Sequence, residues 1–353
     1  MTDLSHDKAT LSPLGRGQGE GENLAKFGFF PASRPYAPSP GGHAAALSPG
    51  GRGINDAAFA QTPSARDYIE LLKPRVMSLV VFTGWVGLLL APGSLHPTLA
   101  LTAVLCVAVG AGASGAINMW FDRDIDAVME RTRRRPIPSG RVTADEALSF
   151  GVFLAAASVM VMGLAVNWAA AFLLAFTIGF YVFVYTIWLK RRTPHNIVIG
   201  GAAGAFPPMI GWAAVTGGIE PASIALFALI FLWTPPHFWA LALFRRQDYA
   251  RAGVPMLPVT AGERATKAQM LGYTLALLPA SAAPWWFGAA GPIYLAAAVG
   301  LSVVFIACAV AVWRTPDGVY GPAKRMFGFS ILYLFLLFAV MAAERLAFGP
   351  AGL

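Results

Sequence analysis

After residue 66, most of the chain consists of apolar blocks about as long as a lipid bilayer is thick. A helix of about 20 apolar residues crosses the roughly 30 Å hydrocarbon core of a membrane. The composition, 56% hydrophobic and 12% charged, supplies more apolar side chains than one soluble core needs. The sequence therefore predicts an all-α, polytopic membrane protein with nine transmembrane helices, at 68–91, 97–120, 144–166, 168–189, 196–216, 222–244, 268–288, 291–313 and 327–348.

The basic residues between these blocks predict an orientation. They occur in the second, fourth, sixth and eighth connections, whereas the odd-numbered connections have none. By the positive-inside rule, the N-terminus and the even-numbered connections are expected in the cytoplasm and the C-terminus outside. The net charge of +8 is thus explained by topology, so nucleic acid is not expected as a partner, whereas the lipid bilayer is.

Residues 1–66 differ from the rest of the chain. They are rich in Gly, Ser, Pro and Ala without apolar periodicity, which predicts a disordered cytoplasmic tail before a membrane domain at 67–353. The tail has no apolar core of a secretory signal, and its acidic residues argue against a mitochondrial presequence. We therefore expect a bacterial inner membrane. Cys106 and Cys308 lie in apolar blocks without metal or redox spacing, and we interpret both as packing residues.

A polar stripe ends the second apolar block. Asn118, Asp122 and Asp126 follow one another at four-residue intervals, so on a helix they share one face over about 12 Å, whereas Asp124 points elsewhere. Two carboxylates and an amide offer the oxygen ligands that Mg²⁺ prefers, and Mg²⁺ commonly shares its coordination with phosphate. The pattern predicts a metal and diphosphate site.

The alternative is that these acids are merely solvated or paired with arginines. The surrounding sequence favours a site, because ionisable residues near membrane spans are more often functional. Small residues at 110–116 allow close helix packing beside a cavity. The arginine-rich segment 131–141 carries guanidinium groups suited to phosphate oxygens, and its Pro136, Pro138 and Gly140 predict a loop.

A second polar group lies in the sixth connection, on the same predicted side of the membrane. It contains Arg245, Asp248 and Tyr249, followed by a Gly and Pro-rich stretch. Basic residues are expected there in any protein of this topology. The segment therefore supports a functional site only if it lies beside the first acidic motif at a common cytoplasmic opening.

In these motifs the chain resembles the UbiA superfamily of intramembrane prenyltransferases over about residues 67–345, and within it the haem-modifying branch. Six segments in order carry the resemblance: 67–75, 118–126, 131–141, 190–201, 234–242 and 248–258. Many relatives have a second Asp four residues after the first one in the sixth connection, where this chain has Ala252. That departure favours haem as acceptor and weakens the case for metal binding by Asp248.

The resemblance implies farnesyl transfer from farnesyl diphosphate to a vinyl group of haem B, with addition of water. The product, haem O, would serve terminal oxidases. Haem B would be a substrate rather than a cofactor, and contact with a haem A synthase stays open. Mg²⁺ would bind to Asn118, Asp122 and Asp126, with Asp248 completing the catalytic set. The implied substrate-binding residues are Lys73, Arg75, Arg135, Arg141, Lys190, Arg191, His195, Asn196, His237, Arg245 and Tyr249.

Two histidines are expected close to the cytoplasmic side. His237 follows Pro235 and Pro236, which we expect to break or kink the sixth span, and it is the stronger candidate for a haem or substrate contact. His195 lies beside Lys190 and is a candidate phosphate contact.

Two other functions remain possible from the sequence. A related prenyltransferase could act on a quinone precursor or another tetrapyrrole, which product analysis would distinguish. A haem or anion transporter would also use basic loops and intramembrane histidines, although the two halves of the chain show no clear repeat.

Overall fold

The computed structural model describes residues 63–349, which form helices connected by short loops and contain no strand in that range. The predicted tail, 1–66, lies outside the described residues except for its end, where Ala65 and Arg66 already begin the first helix. The helices are α1 (Ala65–Leu71), α2 (Pro74–Leu90), α3 (Pro97–Phe121), α4 (Arg123–Val128), α5 (Ala144–Val161), α6 (Trp168–Gly179), α7 (Asn196–Ala205), α8 (Pro207–Thr216), α9 (Pro221–Phe244), α10 (Arg246–Arg251), α11 (Leu257–Thr260), α12 (Gly262–Trp286), α13 (Pro292–Arg314) and α14 (Gly321–Phe348).

Two helices continue as π-helix, in which each backbone N–H bonds to the carbonyl five residues earlier and each turn is wider than in an α-helix. Met162–Val166 extends α5, and Phe180–Leu189 extends α6 up to the fourth connection. Such segments are rare and often occur at functional sites, because an extra residue in a turn changes which side chains face a neighbour.

Seven of the described helical segments are long and apolar enough to cross a membrane, and the bent pair α1 and α2 would make an eighth. The predicted polytopic helical fold is confirmed, but the count of nine spans is not. The predicted span 268–288 corresponds to α12, which has 25 residues but contains Pro279, Pro284 and several polar residues that lower its hydropathy.

Glycines allow α2 and α8 to pack with their backbones in close contact. A Cβ atom on Gly211 would lie 2.0 Å from the carbonyl oxygen of Gly84, and one on Gly87 would lie 2.1 Å from that of Pro208. Only glycine permits this contact, since backbone rather than a movable side chain occupies the space. Close packing by small residues is a common way to associate helices in lipid.

Local breaks give the site its shape. The first predicted span, 68–91, is not one helix: α1 and α2 meet at 57°, and Lys73 at the junction has a left-handed backbone with φ of 53°. In the sixth span, α9 continues through Pro235 and Pro236, so the helix is not broken there. Neighbouring helices bury both prolines, and such surroundings let a membrane helix tolerate proline.

Candidate functional site

The acidic stripe lies where α3 ends and α4 begins. The amide N–H of Asp122 donates to the carbonyl of Asn118 at 2.9 Å, and that of Asp126 donates to Asp122 at 2.8 Å, so helical spacing continues through the junction. Asn118, Asp122 and Asp126 are all buried, with at most 4% of their surface exposed. Asp124 lies on the other side of the turn, with 63% of its side chain exposed. The three side chains thus form one buried polar face.

Two lysines from distant parts of the chain reach this face. The Nζ of Lys73 donates to the Oδ1 of Asn118 at 2.8 Å, and the Nζ of Lys190 donates to the Oδ2 of Asp122. The left-handed backbone of Lys73 directs its side chain across from α2 towards α3, while Lys190 follows the π-helical end of the fourth span. The ammonium group of Lys190 balances carboxylate charge that would be costly to bury alone, and Lys73 adds a second positive charge at the neighbouring amide.

Arginines complete the ring of positive charge. The Nη1 of Arg135 donates to the Oδ2 of Asp126 at 2.6 Å. Arg191 makes two hydrogen bonds to Asp124, at 2.7 and 2.8 Å, and its Nη2 lies 3.8 Å from the Oδ1 of Asp122. Partial burial raises the pKa of Asp124, but the hydrogen bonds and charge of Arg191, together with hydrogen bonds from the backbone N–H groups of Ile125 and Asp124, outweigh it and hold that pKa below its usual value. Arg191 therefore connects the exposed acid to the edge of the buried face.

The buried face contains a carboxylate oxygen without a hydrogen-bond partner, which could bind a cation. The Oδ1 of Asp122 is buried and receives no hydrogen bond, although its partner oxygen binds Lys190. Residues 63–349 contain no cluster of three or more Asp, Glu, His or Cys suited to hold a metal, so two carboxylates and one amide would be the protein's share. Mg²⁺ often binds to one or two carboxylates and completes its octahedron with water and phosphate oxygens. The donor set fits that ion.

Arg141 does not reach the acidic face. Its guanidinium group donates to Asp67, to Glu70 at 3.1 Å and to the carbonyl of Arg134 at 2.8 Å. It therefore joins the arginine-rich loop to α1, whereas we expected it to hold phosphate oxygens. Arg135, from the same loop, is the residue that contacts the acids.

The second polar group lies beside the first through an apolar contact. Val254 and Met256 belong to one buried cluster with Ile125 and Met129, and Tyr249 packs against it. This cluster brings the sixth connection against α4. Asp248 is buried, binds Arg251 at 2.6 Å and leaves its Oδ2 without a hydrogen bond.

No hydrogen bond or ion pair in the described range joins Asp248 to the acidic stripe, so the two motifs are neighbours through their apolar side chains. Arg245, just before α10, is half-buried, and its Nε has no hydrogen-bond partner.

The remaining predicted residues have different environments. His237 is stacked between Trp233 and Phe327, and its Nδ1 lies 2.6 Å from the hydroxyl oxygen of Ser330. His195 is exposed at the start of α7, and Arg75 is exposed in the first turn of α2. Asn196 is buried, donates to the carbonyl of Thr193 at 2.6 Å and leaves its Oδ1 unbonded.

Two contacts of the site were not anticipated from the sequence. Thr186 receives a hydrogen bond from the Nδ2 of Asn118 at 3.1 Å, and Ser330 binds His237. Each is a small hydroxyl side chain in a long apolar block, where threonine and serine usually bond to their own helix backbone. The available signal was the four-residue spacing of Thr186 and Lys190, which is weak without knowledge of the π-helix.

The family model of the UbiA prenyltransferase family matches residues 80–331, which include the acidic stripe and the sixth connection. This chain belongs to the UbiA prenyltransferase family. The match extends over most of the membrane-spanning region, so the fold and the buried polar face described above are those of a UbiA member.

A sequence relative and two solved structures illustrate the relationship. The Protoheme IX farnesyltransferase of Parvibaculum lavamentivorans is 61% identical over 285 residues, which are 80% of this chain and 90% of the relative. A structure from work on Digeranylgeranylglyceryl phosphate synthase superposes with a TM-score of 0.67 at 18% identity, over 80% of this chain and 98% of that one. The UbiA homolog from Archaeoglobus fulgidus bound to DMAPP and Mg²⁺ has a TM-score of 0.57 at 18% identity, over 78% and 99%. At such identities the two structures establish the UbiA fold.

Proposed function

We propose that this chain transfers the farnesyl group of farnesyl diphosphate to a vinyl group of haem B, with addition of water, and so makes haem O. The observation that carries the donor half is the buried face of Asn118, Asp122 and Asp126 ringed by cations. The acceptor half is supported by the relative at 61% identity, whose name specifies protoheme IX and farnesyl.

The cations have a clear task in this reaction. The allylic C–O bond of farnesyl diphosphate breaks and leaves negative charge on diphosphate, which positive groups in a dry site stabilise strongly. Lys73, Lys190 and Arg135 each have N–H groups beyond those that bind Asn118, Asp122 and Asp126, and these groups are available to phosphate oxygens. Mg²⁺ held by Asn118, Asp122 and Asp126 would supply Lewis acid stabilisation of the same leaving group.

The bonds formed account for all atoms. The farnesyl C1 bonds to the terminal carbon of the haem vinyl group, and the oxygen of a water molecule bonds to the inner carbon with loss of a proton. Diphosphate is the other product. Early entry of water would instead hydrolyse the donor, so the burial of the acidic face protects the reaction.

We also propose a location and a division of the chain. The acidic residues of the tail 1–66, which argue against a mitochondrial presequence, favour the bacterial inner membrane. The basic even-numbered connections favour an orientation with this tail and the site facing the cytoplasm, before the membrane domain at 67–353. We also propose a haem A synthase as recipient of the product, since such an enzyme would act next on haem O.

The test is product analysis with purified protein in detergent. Incubation with haem B, farnesyl diphosphate and Mg²⁺ should give a haem whose mass has increased by one farnesyl group plus water, and chelation of Mg²⁺ should abolish it. Asp122→Ala and Asp126→Ala should each abolish turnover yet keep the elution volume of the wild type in size-exclusion chromatography. Folded variants with near-normal turnover would refute the metal assignment. Prenylation of a quinone precursor in place of haem B would move the protein to a sister activity.

A further inference from the structure

The amide of Asn118 makes three contacts, and they decide which way it faces. Its Nδ2 donates to the Oδ2 of Asp122 at 2.7 Å and to the Oγ1 of Thr186 at 3.1 Å. Its Oδ1 accepts from the Nζ of Lys73 at 2.8 Å. Both amide N–H groups are thus used inside the protein, and the oxygen, which has two lone pairs, keeps one for a ligand.

The partners allow only this orientation. A lysine ammonium group can only donate and an ionised carboxylate can only accept. A flipped amide would therefore place its N–H donors against the donor Lys73 and its oxygen against the acceptor Asp122. Thr186 can do either, and with the amide nitrogen facing it the hydroxyl oxygen accepts. Thr186 is fully buried, so no bulk water replaces this contact.

The backbone around Thr186 explains how it reaches Asn118. It lies in the π-helical segment Phe180–Leu189, and the N–H of Lys190 bonds to the carbonyl of Tyr185 five residues earlier. Thr186 and Lys190 both face the acidic stripe, one at Asn118 and the other at Asp122. Space for the widened turn comes from α7, because a Cβ atom on Gly200 would lie only 2.1 Å from the Tyr185 ring.

We propose that Thr186 is a positioning residue that holds the Asn118 amide with Oδ1 towards the bound divalent cation. The proposal rests on the proposed function in one respect, that Asn118 is a metal ligand. Hydrogen-bond partners that orient metal ligands typically change metal affinity by about 10 to 100-fold when removed. Loss of the Thr186 hydroxyl should therefore weaken binding of the metal by roughly 10-fold, the lower end of that range, because Asp122 still holds one amide N–H.

The experiment measures metal binding without turnover. Mn²⁺ is titrated into detergent-purified protein with an unreactive farnesyl thiodiphosphate, and free Mn²⁺ is followed by electron paramagnetic resonance. Thr186→Val removes the hydroxyl at nearly constant shape and should raise the apparent Kd for Mn²⁺ about 10-fold, whereas Thr186→Ser should restore it.

Thr177→Val is the matched control. Thr177 lies in the same span, and its hydroxyl donates to its own helix at the Leu173 carbonyl, 2.7 Å away. Its removal should leave the affinity for Mn²⁺ unchanged. In turnover assays, Thr186→Val should need more Mg²⁺ for half-maximal rate and regain most of its kcat when Mg²⁺ is saturating.

The outcomes separate the two proposals. If the wild-type protein bound no Mn²⁺ in the presence of the thiodiphosphate, the proposed function itself would be refuted. Wild-type binding together with equal affinity in Thr186→Val would overturn the positioning role, as would weaker affinity that Thr186→Ser fails to restore. If Thr186→Val does not fold, Thr186→Ala is titrated in its place. A Kd for Mn²⁺ equal to that of the wild type in this variant would likewise refute the positioning role of Thr186.

Discussion

Arg141 offers the sharpest test of how the arginine-rich loop works. Its guanidinium group binds Asp67 and Glu70 of α1, so it should act on the site through α1 and not by touching phosphate. α1 leads directly into Lys73, whose left-handed backbone costs roughly 1 to 2 kcal/mol for a residue with a Cβ. An anchored α1 helps hold that conformation, and with it the contact from Lys73 to Asn118.

The structure sets the expected magnitude. The Asp67 side chain is 9% exposed and that of Arg141 is 32% exposed, whereas Glu70 is 42% exposed. A charge-assisted hydrogen bond contributes about 1.5 to 3 kcal/mol when buried, and an exposed pair about 0 to 1 kcal/mol. We expect a coupling of about 1 kcal/mol between Arg141 and Asp67, which is roughly a fivefold change in an equilibrium constant, and close to zero for Glu70.

The assay is a double-mutant cycle of Arg141→Gln and Asp67→Asn, read in the KM for farnesyl diphosphate and in the thermal unfolding midpoint. Each single variant should raise KM by about the same factor, and the double variant should be no worse than either one. Glu70→Gln is the control and should stay near the wild type. A direct phosphate contact would give a different pattern: a large KM effect for Arg141→Gln, none for Asp67→Asn, and additive losses. That pattern would refute the anchoring role.

Two further predictions concern residues at the edge of the site. Asp124→Ala should cost at most about fivefold in turnover, since an exposed ion pair contributes up to about 1 kcal/mol, and a loss as large as that of Asp126→Ala would contradict the division into buried and exposed acids. Gly200→Ala should destabilise the protein by about 1 to 3 kcal/mol because the new Cβ meets the Tyr185 ring. The control Gly204→Ala, on the same helix with no atom within 4 Å of its Cβ, should unfold at the temperature of the wild type in a thermal melt.

Local sequence determined the membrane architecture and the acidic stripe. Hydropathy is a property of each segment by itself, so the apolar blocks predicted the helices. α12 is not among the seven helices apolar enough to cross a membrane, because its prolines and polar residues lower its mean hydropathy. The stripe of Asn118, Asp122 and Asp126 depends only on helical spacing, which the backbone keeps through the break at Asp122. A pattern of this kind needs no knowledge of distant contacts.

Only the tertiary structure decided which cation meets which acid. Guanidinium and ammonium groups end long flexible side chains, so their partners depend on which loops the fold brings together. Arg135 and Arg141 lie six residues apart in one loop, yet the first binds the acidic stripe and the second binds α1. The contact between Thr186 and Asn118 joins residues that are 68 positions apart in the chain, and it also requires a π-helical turn and the space that Gly200 leaves for it.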